Sequence, residues 1–299
     1  MFEAAEIGRH VPKEEYKARE IELREELLTA QNALRADGAC PALIVFAGVD
    51  GAGKGETVNL LNEWMDPRWI VTTACGDPSD EEQERPEYWR YWRALPPNGR
   101  IGLFLSSWYS LPILDRVHER IDHNAFEERL SRIVEFEQML TDDGALILKF
   151  WMHLGKDAQQ RRLKSLEKDP LTRWRVSKLD WKHWRMYDKF IGAAERTIRE
   201  TSRGNAPWMI VEGEDSRYRS LTVGTAIRDA IQRHLQKRAE AKTATAAPAA
   251  PRPSARKSDA KTSRNATSIL SSLDMTRAVA RDKTNRDLER YQGELNILQ

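Results

Sequence analysis

Ala42-Leu43-Ile44-Val45-Phe46-Ala47 runs without a polar residue into Gly48-Val49-Asp50-Gly51-Ala52-Gly53-Lys54-Gly55. The apolar run is strand-sized, and residues 56–65 have helix-forming composition up to the break at Pro67. Small residues between strand and helix let successive backbone N–H groups turn inward, and the lysine adds positive charge over bound phosphate. The segment therefore predicts a phosphate-binding loop, with Gly48, Gly51, Gly53, Lys54 and Gly55 facing the phosphates. Gly55 stands where the usual pattern has a Ser or Thr that touches magnesium. Glu56 follows, read either as a first-turn acid favoured by the helix dipole or as a charge that repels phosphate.

Working outward, further apolar runs at 69–74, 101–105, 145–151 and 208–211 alternate with helical segments. Continuous apolar strands, each followed by a helix, predict an α/β fold with a doubly wound, mainly parallel five-stranded sheet and ligands at the carboxyl ends of the strands. Within an N-terminal segment, 1–36, residues 14–36 carry Ile21, Leu23, Leu27, Leu28 and Leu34 among charges, which predicts an amphipathic helix packed on the domain. Ser79 with Glu82 reads as a capping box. Pro86 opens an aromatic helix whose Tyr88-Trp89-Arg90-Tyr91-Trp92 segment suits core packing, with base stacking the alternative. The stretch at about 156–189 is rich in Lys and Arg, and it is either a solvated helix face or a basic lid over the loop, hinged at Asp169-Pro170. The phosphate-binding domain is accordingly placed at 37–236.

The 299 residues, 40% of them hydrophobic, suffice for a sizeable core. Cys40 and Cys75 form no CxxC pair, no HExxH is present, and no apolar run approaches the roughly 20 residues of a membrane span. The expectation is a soluble cytoplasmic protein with no membrane partner. Net charge is +2, but residues 237–299 hold thirteen basic and seven acidic side chains, a balance of +6 that leaves −4 for 1–236. A body without a general positive field argues against nucleic acid as partner. Residues 237–268 read as a flexible basic Ala/Pro-rich linker. Residues 269–299 resemble the N-terminus at a shift of 268 positions, with Arg9/Arg277, Val11/Val279, Glu26/Glu294, Leu27/Leu295 and Gln31/Gln299 identical, and so predict the start of a second repeat unit.

Gly48-Val49-Asp50 with Gly53-Lys54-Gly55, Pro67-Arg68, Pro78-Ser79, Ser107-Trp108-Tyr109, Phe136-Glu137, Lys149-Phe150-Trp151, Asp169-Pro170 with Trp174, and Ala206-Pro207-Trp208 together resemble the polyphosphate kinase 2 family. The match runs in order from about residue 12 to 236 and is more specifically similar to the N-terminal half of two-unit members. The resemblance implies a P-loop kinase-like three-layer sandwich with a helical basic lid. It also implies an enzyme that transfers phosphate from inorganic polyphosphate to AMP, giving ADP, with Mg2+ as cofactor. Carried over position by position, Lys54 and Asp50 would be catalytic, with Asp50 near the metal. Arg173 and Arg175 would bind phosphate from the lid, and Asp115-Arg116, at a family Glu-Arg pair, would bind the acceptor.

Three positions depart from the family pattern. Leu105 replaces a carboxylate, and Ser106 and Leu111 replace arginines. Those departures support an alternative, a non-catalytic unit that binds polyphosphate or supports a catalytic second unit, and the partner expected is a homo-oligomer or a second repeat unit. A nucleotide kinase using ATP is the further alternative.

Overall fold

The apolar runs become the strands β1 (Ala42–Gly48), β2 (Ile70–Ala74), β3 (Ile101–Ser106), β4 (Leu146–His153) and β5 (Trp208–Glu212). The computed structural model describes residues 1–246 and, beyond them, Lys283, Asp287 and Tyr291. Backbone contacts group Met1–Ala246 as one unit, separate from Ala247–Gln299. Within the first unit the five strands are all parallel in the order β2-β3-β1-β4-β5. This is the doubly wound sheet that the alternation of strand and helix predicts. The central β1 pairs Ala42 with both Ile101 and Leu146, and the chain leaves it in one direction, to β2 beyond β3, whereas every later crossover runs the other way. Such a switch point opens a crevice at the carboxyl end of the sheet.

The helices are α1 (Lys13–Asp37), α2 (Lys54–Trp64), α3 (Asp80–Gln83), α4 (Trp89–Ala94), α5 (Ser110–Val117), α6 (His123–Asp142), α7 (Lys156–Lys168), α8 (Lys178–Arg185), α9 (Tyr187–Thr201) and α10 (Ser216–Ala246). Contacts join α1, α2 and α10 into one layer and α5, α6 and α9 into another, and right-handed crossovers set these layers on opposite faces of the sheet. The capping box at α3 forms, with Ser79 accepting from the Glu82 amide and Glu82 accepting from the Ser79 amide. Tyr91 of the aromatic segment is buried and packs edge-on to Trp108, while Trp92 keeps its edge against Phe136 but is half exposed.

The amphipathic reading of α1 is correct in kind and wrong in phase at two positions. Leu23, Leu27 and Leu34 are buried, but Ile21 is 73% and Leu28 38% exposed. The buried stripe faces α10, which crosses so closely that a Cβ at Gly224 would lie 2.9 Å from Leu23 Cδ2 and 3.1 Å from the Trp64 ring. Polar edges lock the layer, since Gln31 exchanges hydrogen bonds with the Asp66 backbone and Arg228 pairs with Glu26. The first part of the linker expected over 237–268 is instead helix, because α10 continues to Ala246, with Arg238 (3.2 Å) and Lys242 (2.8 Å) both paired to Asp37. The rest of the expected linker, and all of the expected 269–299 repeat but Lys283, Asp287 and Tyr291, lie outside the described residues.

Truncating Leu27, which is fully buried, should cost about 2–5 kcal/mol as Leu27→Ala. Ile21→Ala should change stability by less than about 0.5 kcal/mol. Urea denaturation of the two variants measures the contrast, and equal losses would contradict the packing of α1.

Candidate functional site

The loop leaves β1 at Gly48, whose φ of 133° brings it against β4 so tightly that a Cβ there would lie 2.0 Å from the Met152 carbonyl oxygen. The Val49 amide bonds that same carbonyl at 3.1 Å. Gly53, with φ 88°, is the N-cap of α2, and a Cβ there would fall 2.2 Å from the Arg219 guanidinium carbon. Both conformations lie where only glycine is unstrained. The first intrahelical bond is Thr57 N–H to Gly53 C=O, so the amides of Lys54, Gly55 and Glu56 precede it and point out of the helix start. That end carries the positive pole of the helix dipole.

Lys54 folds back on the loop. Its Nζ donates to the carbonyls of Gly48 (2.6 Å) and Val49 (3.0 Å) and lies 3.8 Å from Asp50 Oδ1. Burial lowers its pKa, against the opposing charges of Asp50 and Asp180. Asp50 meets the lid through His183, whose Nδ1 is 2.8 Å from Oδ2, while Gln159 donates to the Asp50 carbonyl at 3.0 Å. Burial alone would raise the Asp50 carboxyl, but the His183 contact and the Lys54 charge hold it below its ordinary range.

Two cavities meet at these two residues. One, of about 220 Å³, opens behind the loop among Phe46, Leu105, Ser106, Tyr109, Trp151 and Phe190. Trp151 Nε1, Gln159 Oε1 and His183 Nε2, from residues that line it, are buried without a hydrogen-bond partner. The other, of about 380 Å³, lies between Gly51–Gly55 and the lid, walled by Arg162, Trp174, Arg175 and Asp180. Lys54 and Asp50 line both.

The segment expected to act as a lid comprises α7, a tight turn at Arg173–Arg175 and α8, with α7 ending at Lys168 just before Asp169-Pro170. Of the two lid arginines expected at phosphate, Arg175 reaches the groove and Arg173 is exposed and lines neither cavity. Asp115 and Arg116 are also displaced from the loop. Asp115 accepts from Arg129 (2.6 Å) and Arg120 (3.2 Å), whereas Arg116 lines a separate depression with Lys189 and Arg196. Leu105 and Ser106 line the rear cavity, but Leu111 does not. Glu56 is an acid of the first turn of α2, the first of its two readings, and its carboxylate also joins Arg162 (2.5 Å), Arg175 (3.4 Å) and Arg219 (2.8 Å). Arg219 and His183 are further site residues that sequence reading passed over, since each comes from a distant segment with no motif around it.

Beneath the rear cavity lies a closed polar network. Lys149 of β4, fully buried, donates to Glu137 Oε2 (2.6 Å), to the Tyr109 hydroxyl (2.9 Å) and to the Thr201 carbonyl (2.8 Å). Glu137 Oε1 also accepts from Tyr109 (2.7 Å) and Trp108 (3.0 Å). Burial lowers the Lys149 pKa and, with the Glu137 charge, raises Tyr109 well above its ordinary value. The network ties the turn after β3 to β4 and α6 and so fixes the cavity wall.

Among the described residues no group of three or more His, Cys, Asp or Glu side chains could hold a metal ion. Asp50 is the lone carboxylate of the rear cavity, already engaged by His183 and Lys54, and an isobutyl group stands at Leu105. These residues do not form a protein-built magnesium centre. No helix among the described residues is long and apolar enough to cross a membrane.

The polyphosphate kinase 2 family model matches residues 10–239. A polyphosphate:AMP phosphotransferase of Pseudomonas aeruginosa is 49% identical over 242 residues, which are 81% of this chain and 49% of that protein. An AMP/ADP-polyphosphate phosphotransferase of Meiothermus ruber is 30% identical over 210 residues, 70% of this chain and 79% of that protein. The crystal structure of polyphosphate kinase 2 from Arthrobacter aurescens superposes with a TM-score of 0.72 at 30% identity, covering 76% of this chain and 81% of the other. The chain spans about half the length of the Pseudomonas relative.

Replacing Lys149 by Met should destabilise the fold by about 3–5 kcal/mol, because Glu137 is left buried without its cation. Combining Lys149→Met with Glu137→Gln should recover part of that loss in urea denaturation. A double variant as unstable as the single one would mean that the buried charge is not the cause.

Proposed function

Because the chain belongs to the polyphosphate kinase 2 family, we propose that this unit handles polyphosphate in the groove between loop and lid and transfers phosphate to AMP held in the rear cavity. The observation that supports this reading is the placing of Lys54 and Asp50 on both spaces at once. A phosphorus atom at that boundary would be reached from both sides. An AMP phosphate oxygen bonds to the terminal phosphorus as its bond to the bridging oxygen breaks, and polyphosphate leaves one unit shorter. Such transfer depends on positioning and charge neutralisation. Here the cationic side is supplied by Lys54, Arg162 and Arg175, with the helix-start amides of α2 behind them. In the rear cavity, aromatic walls and the unpartnered polar atoms of Trp151, Gln159 and His183 suit a flat ligand with a hydrogen-bonding edge. Any magnesium would arrive on the phosphates, with Asp50 as the carboxylate that lines both spaces.

A second reading is favoured by a specific feature. Leu105 and Ser106 wall the cavity where the family pattern has a carboxylate and an arginine, so the unit would bind polyphosphate without efficient turnover.

Incubating the chain with polyphosphate, magnesium and AMP and measuring ADP separates the two. The transferase reading expects ADP formation that falls on the order of 10²-fold in Lys54→Ala. Equal inertness of both proteins, with polyphosphate still bound by the unaltered chain, would leave the binding reading. Restoring charge with Leu105→Asp and Ser106→Arg together should raise the rate, and no gain in a folded double variant would show that the cavity wall is not what restricts turnover.

A further inference from the structure

Glu56 gathers three guanidiniums from three separate elements onto one carboxylate. Arg162 of α7 and Arg175 of the lid turn reach Oε1, and Arg219 of α10 reaches Oε2. Arg219 is only 4% exposed and is held in place by Thr57 Oγ1 and the Gly213 carbonyl, so that corner is rigid. The two lid arginines, by contrast, are roughly two-fifths exposed and belong to the segment across the groove. The carboxylate lies one residue from Gly55, at the helix start where an anion is favoured, and it offers guanidinium groups the same paired anionic oxygens as a phosphate.

We infer that Glu56 is an internal stand-in for a substrate phosphate, which holds the lid arginines against the loop when the groove is empty and sets the affinity for polyphosphate. The inference rests on the loop–lid groove being the polyphosphate site. A phosphate chain entering the groove must take Arg162 and Arg175 from Glu56, so part of its attraction to the lid is cancelled by the contact it replaces. Three guanidiniums against one carboxylate still leave a positive surplus, which allows the exchange. Removing the carboxylate charge frees both lid arginines for the ligand and at the same time unfastens the ligand-free lid.

The test uses tripolyphosphate, calorimetry and limited trypsin digestion on the full chain. Glu56→Gln should bind tripolyphosphate about ten-fold more tightly than the unaltered chain. Without ligand, it should be cut several-fold faster between Lys168 and Lys178, and tripolyphosphate should restore protection. Arg162→Gln should also be cut faster but bind more weakly, which keeps the test decisive if Glu56→Gln does not fold. Unchanged or weaker binding by folded Glu56→Gln, or unchanged cleavage of Arg162→Gln, overturns the inference. Absence of binding by the unaltered chain and both variants would instead overturn the phosphate-site reading on which it stands.

Discussion

The contact on which the site depends is the passage of Gly48 over Met152. With 2.0 Å between an added Cβ and the Met152 carbonyl oxygen, no side chain fits there, so β1 turns away from β4 at a point set by backbone alone. The pairing of Gly48 with Met152 in the β1–β4 register delivers the loop to the same spot. From that turn follow the outward amides of α2, the folded-back Lys54 and the position of Asp50 between two cavities. A shift of one residue in the register would move all of them together.

The loop rests on side chains as well as on the sheet. Arg219 packs under Gly53 while bonding Thr57 and Glu56, and burial lowers its pKa against the stabilising Glu56 charge. His183 and Gln159 hold Asp50 from the lid side. The lid is thus joined to the loop at two places of different chemistry, a carboxylate–imidazole contact at Asp50 and a carboxylate–guanidinium cluster at Glu56.

Local chemistry made much of this legible in the sequence. The apolar run to Ala47 and the glycines that follow are short-range signals, and so are Ser79 with Glu82 and the break at Asp169-Pro170. The arrangement of five parallel strands follows from the same alternation. Long-range pairings were not legible. Nothing near Glu56 announces Arg219, 163 residues away, and nothing near Asp115 tells that Arg129 will claim its carboxylate. Ile21 and Leu28 misled for a related reason, since helical periodicity marks an apolar stripe but its edges depend on how α10 crosses α1. Leu105 and Ser106 could be flagged only as departures from a pattern, and their place on the cavity wall required the fold.

The floor supplied by Arg219 bears on how the molecule is made. The loop precedes its supports in the chain, since β1 gains its neighbours only with residues 101–106 and 146–153, and Gly53 gains its support only with residue 219. Contacts so distant in sequence form late and slowly, after the cost of closing long loops has been met. During synthesis the phosphate loop therefore emerges well before the segments that support it and is among the last to reach its working geometry. A growing chain halted before α10 would carry the whole motif with no seat beneath it.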